Sequence, residues 1–235
     1  FIRFKGIFNK MSIEFDNNDL AAQELMPQLV NYCEYTYNLI FNQINNKDIL
    51  DFGSGFGDFC IFLNSKGLSA TAYEPNNIGY KQCVSKKLNI YSDIKEIQTK
   101  YSVVTSICVL EHIEDDKLAL ENIQKLLKPQ GITYILVPAY NFLYNNFDKA
   151  LYHFRRYNKK SLSAIFPTNA HKIKTWYFNF VGIFGWYIVG NILKKEIIPE
   201  SNMKLYNTLT PIFKAVDFLI HRKMGLSVVL VSKKV

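Results

Sequence analysis

Cysteine is scarce and scattered. The four residues Cys33, Cys60, Cys83 and Cys108 form no C-x-x-C pair, which removes the common zinc frameworks and predicts no metal site. They lie in apolar or mixed segments, as reduced structural thiols of a cytoplasmic protein would. No secretory signal pattern is seen, and the first residue is Phe1 rather than Met. No long run of Lys or Arg occurs, so the formal net charge of +8 permits an anionic partner without marking a nucleic-acid tail; no nucleic-acid partner is expected. The G-K-[ST] triplet of a P-loop is missing. There is no internal repeat and no low-complexity tract.

What is present is a globular composition, with 49% hydrophobic and 20% charged residues in 235. That length suits one α/β domain with an insertion. Residues 1–46 read as mostly helical, with Leu25, Leu29, Tyr32 and Tyr35 or Thr36 at helical spacing and Pro27 near a helix start. Short apolar strands follow at 48–52, 69–73, 89–91, 103–109 and 132–137. Helices at 59–63, 80–88 and 115–128 alternate with them. This alternation predicts a parallel, doubly wound sheet with right-handed crossovers. Beyond Pro138 the pattern loosens: 139–160 is aromatic and basic, 161–166 reads as a short helix, 171–178 as a strand, 180–224 as helical and apolar, and 226–232 as the last strand.

The first strand runs straight into Asp51-Phe52-Gly53-Ser54-Gly55-Phe56-Gly57. Glycines there let the backbone approach a ligand and free its amides. A dinucleotide fingerprint needs a third glycine where Asp58 stands, and an acid would face a pyrophosphate badly. Glu74 closes the second strand about twenty residues on, ahead of Pro75, where a carboxylate can accept both hydroxyls of a ribose.

These features resemble class I SAM-dependent methyltransferases, of the ubiquinone-methyltransferase-like kind. The resemblance extends through Ser92-Asp93, Val109-Leu110-Glu111-His112-Ile113 and Leu126-Leu127-Lys128-Pro129-Gln130-Gly131, covering roughly residues 47–140. It departs from the family where Gln130 replaces a glycine and where Tyr101-Ser102 replaces Phe-Asp. It implies S-adenosylmethionine as cofactor. Asp51, Gly53, Ser54, Gly55, Gly57, Glu74, Pro75, Asp93 and Cys108 would be the binding residues, with Asp93 against the adenine amino group. It also implies one domain with a seven-stranded, mostly parallel Rossmann-like sheet. The core would span 47–138 and a helical cap 139–225, and the last strand, 226–232, would be antiparallel and inserted beside the fifth.

The methyl acceptor is expected to be a small or lipid-linked molecule, methylated at oxygen. His112 and His153 are the candidate bases. The stretch His153-Phe154-Arg155-Arg156-Tyr157 resembles an H-[FY]-R-R-Y segment of methyltransferases linked to glycan or lipid-linked sugar pathways. Its paired arginines can clamp an anion, which makes Arg155, Arg156 and Tyr157 candidate acceptor contacts. Residues 175–193 carry no formal charge between flanking lysines. Asn and Gly residues interrupt them, so they read as a strand followed by a helical cap, buried or touching a membrane, rather than as a span. Two other readings remain open, a SAM-binding protein without catalysis and a nucleic-acid methyltransferase. The second lacks the Asn/Asp-Pro-Pro-Tyr type of motif. A NAD-dependent enzyme is disfavoured by Asp58.

Overall fold

The computed structural model describes residues 23–44, 48–195 and 200–235. The expected helical start is therefore seen only from residue 23. Positions 1–22 and 45–47, and 196–199 of the apolar stretch, lie outside the described residues. A 3-10 turn at Met26–Gln28, with Pro27 in its first positions, leads into α1, Val30–Phe41. Then follow β1 (Asp48–Phe52), α2 (Asp58–Ser65), β2 (Ser69–Tyr73), α3 (Asn77–Ser85), β3 (Asn89–Tyr91), β4 (Tyr101–Ile107), α4 (Asp116–Leu126) and β5 (Leu127–Pro138). The second half contains α5 (Asn146–Ala150), α6 (Lys159–Ala164), β6 (Ala170–Phe178), α7 (Phe180–Trp186), α8 (Glu200–Leu219) and β7 (Ser227–Lys234).

One seven-stranded sheet runs β3-β2-β1-β4-β5-β7-β6. The first five strands pair in parallel. β7 lies antiparallel between β5 and β6, as the sequence predicts. Strand residues alternate between two cores. Leu50, Val104 and Ile135 pack with Leu120 and Ile123 of α4 on one face. Ile49, Val103 and Leu136 pack with Ile40 of α1 and Leu63 of α2 on the other. Both faces are covered, which is why these strands read as continuous apolar runs. The order reverses between β1 and β4, and that switch point opens a crevice at the carboxyl ends of the strands.

Several boundaries moved for local reasons. α3 begins at Asn77, not 80, because the Asn76 side chain accepts from the amides of Ile78 and Gly79. α4 begins one residue later than read, with Asp115 as its cap, and ends at Leu126. The Pro129-Gln130-Gly131 turn lies within β5, at a register shift against β4. There Gln130 takes the left-handed conformation (φ +65°) that a glycine would adopt without strain. β4 ends at Ile107, and Cys108 leaves the strand with φ +54°.

The helical stretch after β6 is anchored by a buried acid. Asp217 of α8 is fully buried and accepts from the amides of Asn179 and Phe180 at the start of α7 and from the Tyr35 hydroxyl of α1. One carboxylate thus joins three helices and satisfies amide groups that water does not reach. Asp217→Ala should lower stability by about 2–4 kcal/mol, read as a shift in the urea midpoint. An unchanged midpoint would show that these bonds are replaced by solvent.

Candidate active site

The glycine loop folds back on β2. The amides of Gly53 and Ser54 both donate to the Tyr73 carbonyl, and the Gly55 amide donates to Glu74 Oε2 at 2.8 Å. Glu74 Oε1 accepts from the Asn76 amide at 2.8 Å. Gly57 sits at φ +79° before α2, where a Cβ would lie 2.3 Å from Leu88 Cδ1; a side chain there would strain the backbone and displace Leu88. Asp58 opens α2 and pairs with Lys86 at 2.9 Å.

A cavity of about 410 Å³ lies over the switch point, within the range of small-molecule sites. Gly53, Gly55, Tyr73, Glu74, Pro75, Cys108, Glu111, His112, His153 and Arg156 line it, together with Tyr32 and Trp186. The sequence readings that meet here are thus the glycine loop, the end of β2, the V-L-E-H-I segment and the start of H-F-R-R-Y. The last is carried in by backbone bonds: the Phe154 amide donates to the Glu111 carbonyl and the Tyr157 amide to that of Pro138. Those bonds order a stretch that has no helical or strand period.

Other candidates lie outside the cavity lining. Asp51 is buried in the sheet, where it accepts from the Thr105 hydroxyl at 2.8 Å. Ser54 rests against Cys83. Asp93 is exposed and caps a 3-10 turn through the Lys95 amide. Arg155 pairs with Asp116 at 2.7 Å and donates to the Glu114 carbonyl. The Tyr157 hydroxyl donates to Asp116 at 2.8 Å. Of the paired arginines only Arg156 reaches the cavity, and it arrives neutralised: its Nε donates to Asp148 at 2.7 Å, Nη1 donates to the Ala139 carbonyl, and its plane stacks on Trp186. The two arginines expected as acceptor contacts therefore do not converge on the cavity: Arg155 pairs with Asp116 away from its lining.

The cavity wall is acidic and histidine-rich instead. Glu111 is buried, and its Oε2 has no hydrogen-bond partner. Burial pushes its carboxyl up to about 7, against the pull of nearby His153. Burial likewise raises Glu74 and Asp51 to about 7. The His112 and His153 rings meet edge to face at 4.7 Å. Burial, then His153, lowers His112 to about 3, so it is neutral. Donor atoms of Glu111, His112 and His153 lie within 4.8 Å of one another. Such a group can hold one substrate hydroxyl or take its proton; the same spacing suits a cation, and we assign none. Sequence reasoning missed Glu111, Asp148, Trp186 and Tyr32 as site residues. Only Glu111 carried a signal, its place before His112.

A model of the methyltransferase domain matches residues 22–183. The chain belongs to the methyltransferase-domain family. It is 29% identical over 140 residues to the ubiquinone biosynthesis O-methyltransferase of Rickettsia bellii, covering 54% of this chain and 58% of that one. The chain thus spans little more than half the length of that relative. Its fold is that of a SAM-dependent methyltransferase from Archaeoglobus fulgidus (TM-score 0.62, 17% identity, 93% of this chain and 100% of that one). A SAM-dependent methyltransferase from Thermotoga maritima, titled a possible histamine N-methyltransferase, is similar in fold (TM-score 0.60, 13% identity, 93% and 96%).

The raised carboxyl of Glu111 makes a stability prediction. The folded state keeps a proton that the unfolded chain loses near 4.5. The stability this group contributes is therefore present below about pH 4.5 and lost as the pH rises through 7. Glu111→Gln should be more stable than the parent by roughly 1–3 kcal/mol at pH 8 and no more stable at pH 4.5. Urea titrations at both pH values check this; equal differences at the two would count against a charged Glu111.

Proposed function

We propose that this chain binds S-adenosylmethionine in the switch-point cavity and methylates a small-molecule acceptor, at oxygen. The observation that carries the reading is Glu74. Its buried carboxylate faces the cavity beside the glycine loop, each oxygen accepts one backbone amide, and a carboxylate has about four acceptor sites. The unused positions fit the two hydroxyls of a ribose. Gly53 and Gly55 would lie along the cofactor, and Tyr73, Pro75 and Val109 would supply apolar walls for a flat base. Cys108, at the strand end, completes that side. When bound, the cofactor supplies an electrophilic methyl group on a sulfonium. Asp51, Ser54, Gly57 and Asp93 support the loops from outside the lining.

His112 and His153 stand across the cavity and are the groups able to take a hydroxyl proton. The relatives named as O-methyltransferases favour a hydroxyl acceptor. Among the described residues, Arg156 is the one Lys or Arg of the lining, and its pairing with Asp148 favours a neutral acceptor over a strongly charged one. A SAM-binding role without catalysis is less well supported, since it leaves two histidines in the cavity without work.

The acceptor side also carries the proposed membrane contact, narrower than the sequence suggests. Of 175–193, Trp176, Tyr177 and Phe178 are buried in β6. Phe184, Ile188 and Ile192 form an exposed stripe along α7 and the π-turn Tyr187–Ile192 that extends it, ahead of exposed Lys194 and Lys195. Among the described residues no helix is long and apolar enough to cross a membrane. This stripe would lie in an anionic interface, with Trp186 of the same helix facing the cavity and a lipophilic acceptor entering beside it.

Calorimetry tests the cofactor. SAM should bind saturably, and Glu74→Gln should weaken it about 10- to 100-fold, since charge-assisted bonds of this kind contribute about 1.5–3 kcal/mol each. Binding of NAD but not SAM would overturn the reading. Flotation with phosphatidylglycerol vesicles tests the interface: Phe184→Ser with Ile188→Ser should abolish co-flotation of the parent chain, and a parent that never floats refutes the contact.

A further inference from the structure

Asp148 has no place in the sequence motifs, yet it is fully buried against the cavity wall. Its Oδ1 lies 2.8 Å from His153 Nδ1 and 2.7 Å from Arg156 Nε, and Oδ2 accepts from the Asn145 amide. Burial alone would raise its carboxyl; the hydrogen bond from His153 and the charge of Arg156 outweigh burial and hold it below the ordinary range. An ionised carboxylate has no proton to donate, so His153 Nδ1 must be the donor. On a neutral ring that leaves Nε2 as the bare acceptor, and His153 lines the cavity. The frame is rigid. A capping box fixes Asp148 in the first turn of α5, the Ala139 carbonyl and Trp186 fix Arg156, and the His153 carbonyl accepts from the Tyr144 hydroxyl at 2.7 Å.

We propose that Asp148 is the positioning residue for acceptor deprotonation: it holds His153 as the Nδ1–H tautomer, so that Nε2 takes the proton of the acceptor hydroxyl. This rests on the methyltransferase reading above. As the new carbon–oxygen bond forms, the carbon–sulfur bond breaks with its electron pair staying on sulfur. The O–H pair stays on oxygen and the proton moves to His153 Nε2. The resulting imidazolium is matched by Asp148, and the proton then leaves to solvent. His112, whose basicity burial lowers, is the weaker acceptor of the two, and its ring packs edge to face on that of His153. Arg156 keeps Asp148 ionised, which gives the second arginine of H-F-R-R-Y a role other than binding an anion.

The test uses the whole chain, uniformly labelled with ¹⁵N and saturated with SAM at neutral pH. Imidazole nitrogen shifts, assigned with His153→Gln, should show His153 protonated at Nδ1 and bare at Nε2. Methyl transfer from labelled SAM to catechol should fall about 10²- to 10⁴-fold in kcat in Asp148→Asn, with the SAM Kd and the catechol KM within about threefold of the parent. A merely structural Asp148 would instead change the urea midpoint or the SAM Kd and leave kcat in the folded fraction intact. The opposite His153 tautomer in the parent, unchanged kcat in Asp148→Asn, or activity lost in chelator and restored by Mg²⁺ overturns the proposal. The tautomer needs no variant, so it decides even if Asp148→Asn fails to fold. A parent that binds no SAM overturns the underlying methyltransferase reading, which is a separate result.

Discussion

A parallel sheet covered on both faces leaves its polar groups unsatisfied at the strand ends, and the whole site is arranged around satisfying them. At the carboxyl end of β2 the partner is Glu74. Its carboxylate takes one amide from the glycine loop and one from the turn into α3, so the loops after β1 and β2 share one anchor. Because that anchor is an acid in a dry place, it stays close to its charge transition and has acceptor positions to spare. The same group therefore shapes the cavity and is chemically fit to receive hydroxyls within it.

The second half repeats this solution with different partners. Asp148 collects His153, Arg156 and the Asn145 amide; Asp217 collects two amides and a tyrosine hydroxyl. Asp217 ties segments that are far apart in the chain, whereas Asp148 ties α5 to the stretch just after it. Glu111 is the exception. It is as buried as the others but keeps an oxygen without a hydrogen-bond partner. A buried acid without full pairing is costly in a folded protein, and here it shares the cavity lining with the two histidines.

Much of the fold was legible because buried parallel strands leave an unmistakable pattern. β2 and β3 were placed to the residue, and β7 was rightly set antiparallel beside β5. The errors came where a side chain or a turn overrode the pattern: the Asn76 cap started α3 three residues earlier than expected, and Gln130 adopted a left-handed turn inside β5. The site was legible around the glycine loop, where Gly53, Gly55, Glu74 and Cys108 do line one cavity. It was less so in the acceptor half. A pair of adjacent arginines reads as one anion clamp, yet consecutive side chains point apart, and Arg155 and Arg156 ended on different carboxylates.

The sequence by itself determined the strand–helix alternation, the glycine loop with Glu74 at the end of the next strand, and the order in which the motifs reach the carboxyl edge of the sheet. Those follow from local spacing, since periodicity and backbone freedom are properties of neighbouring residues. Tertiary structure alone decided which charges were spent on one another. Asp148 finds Arg156 eight residues away and Asp116 finds Arg155 from across the fold, while Glu111 is left with a buried oxygen that accepts no hydrogen bond. Pairing depends on which side chains share a desolvated space, and no spacing rule in the chain encodes that.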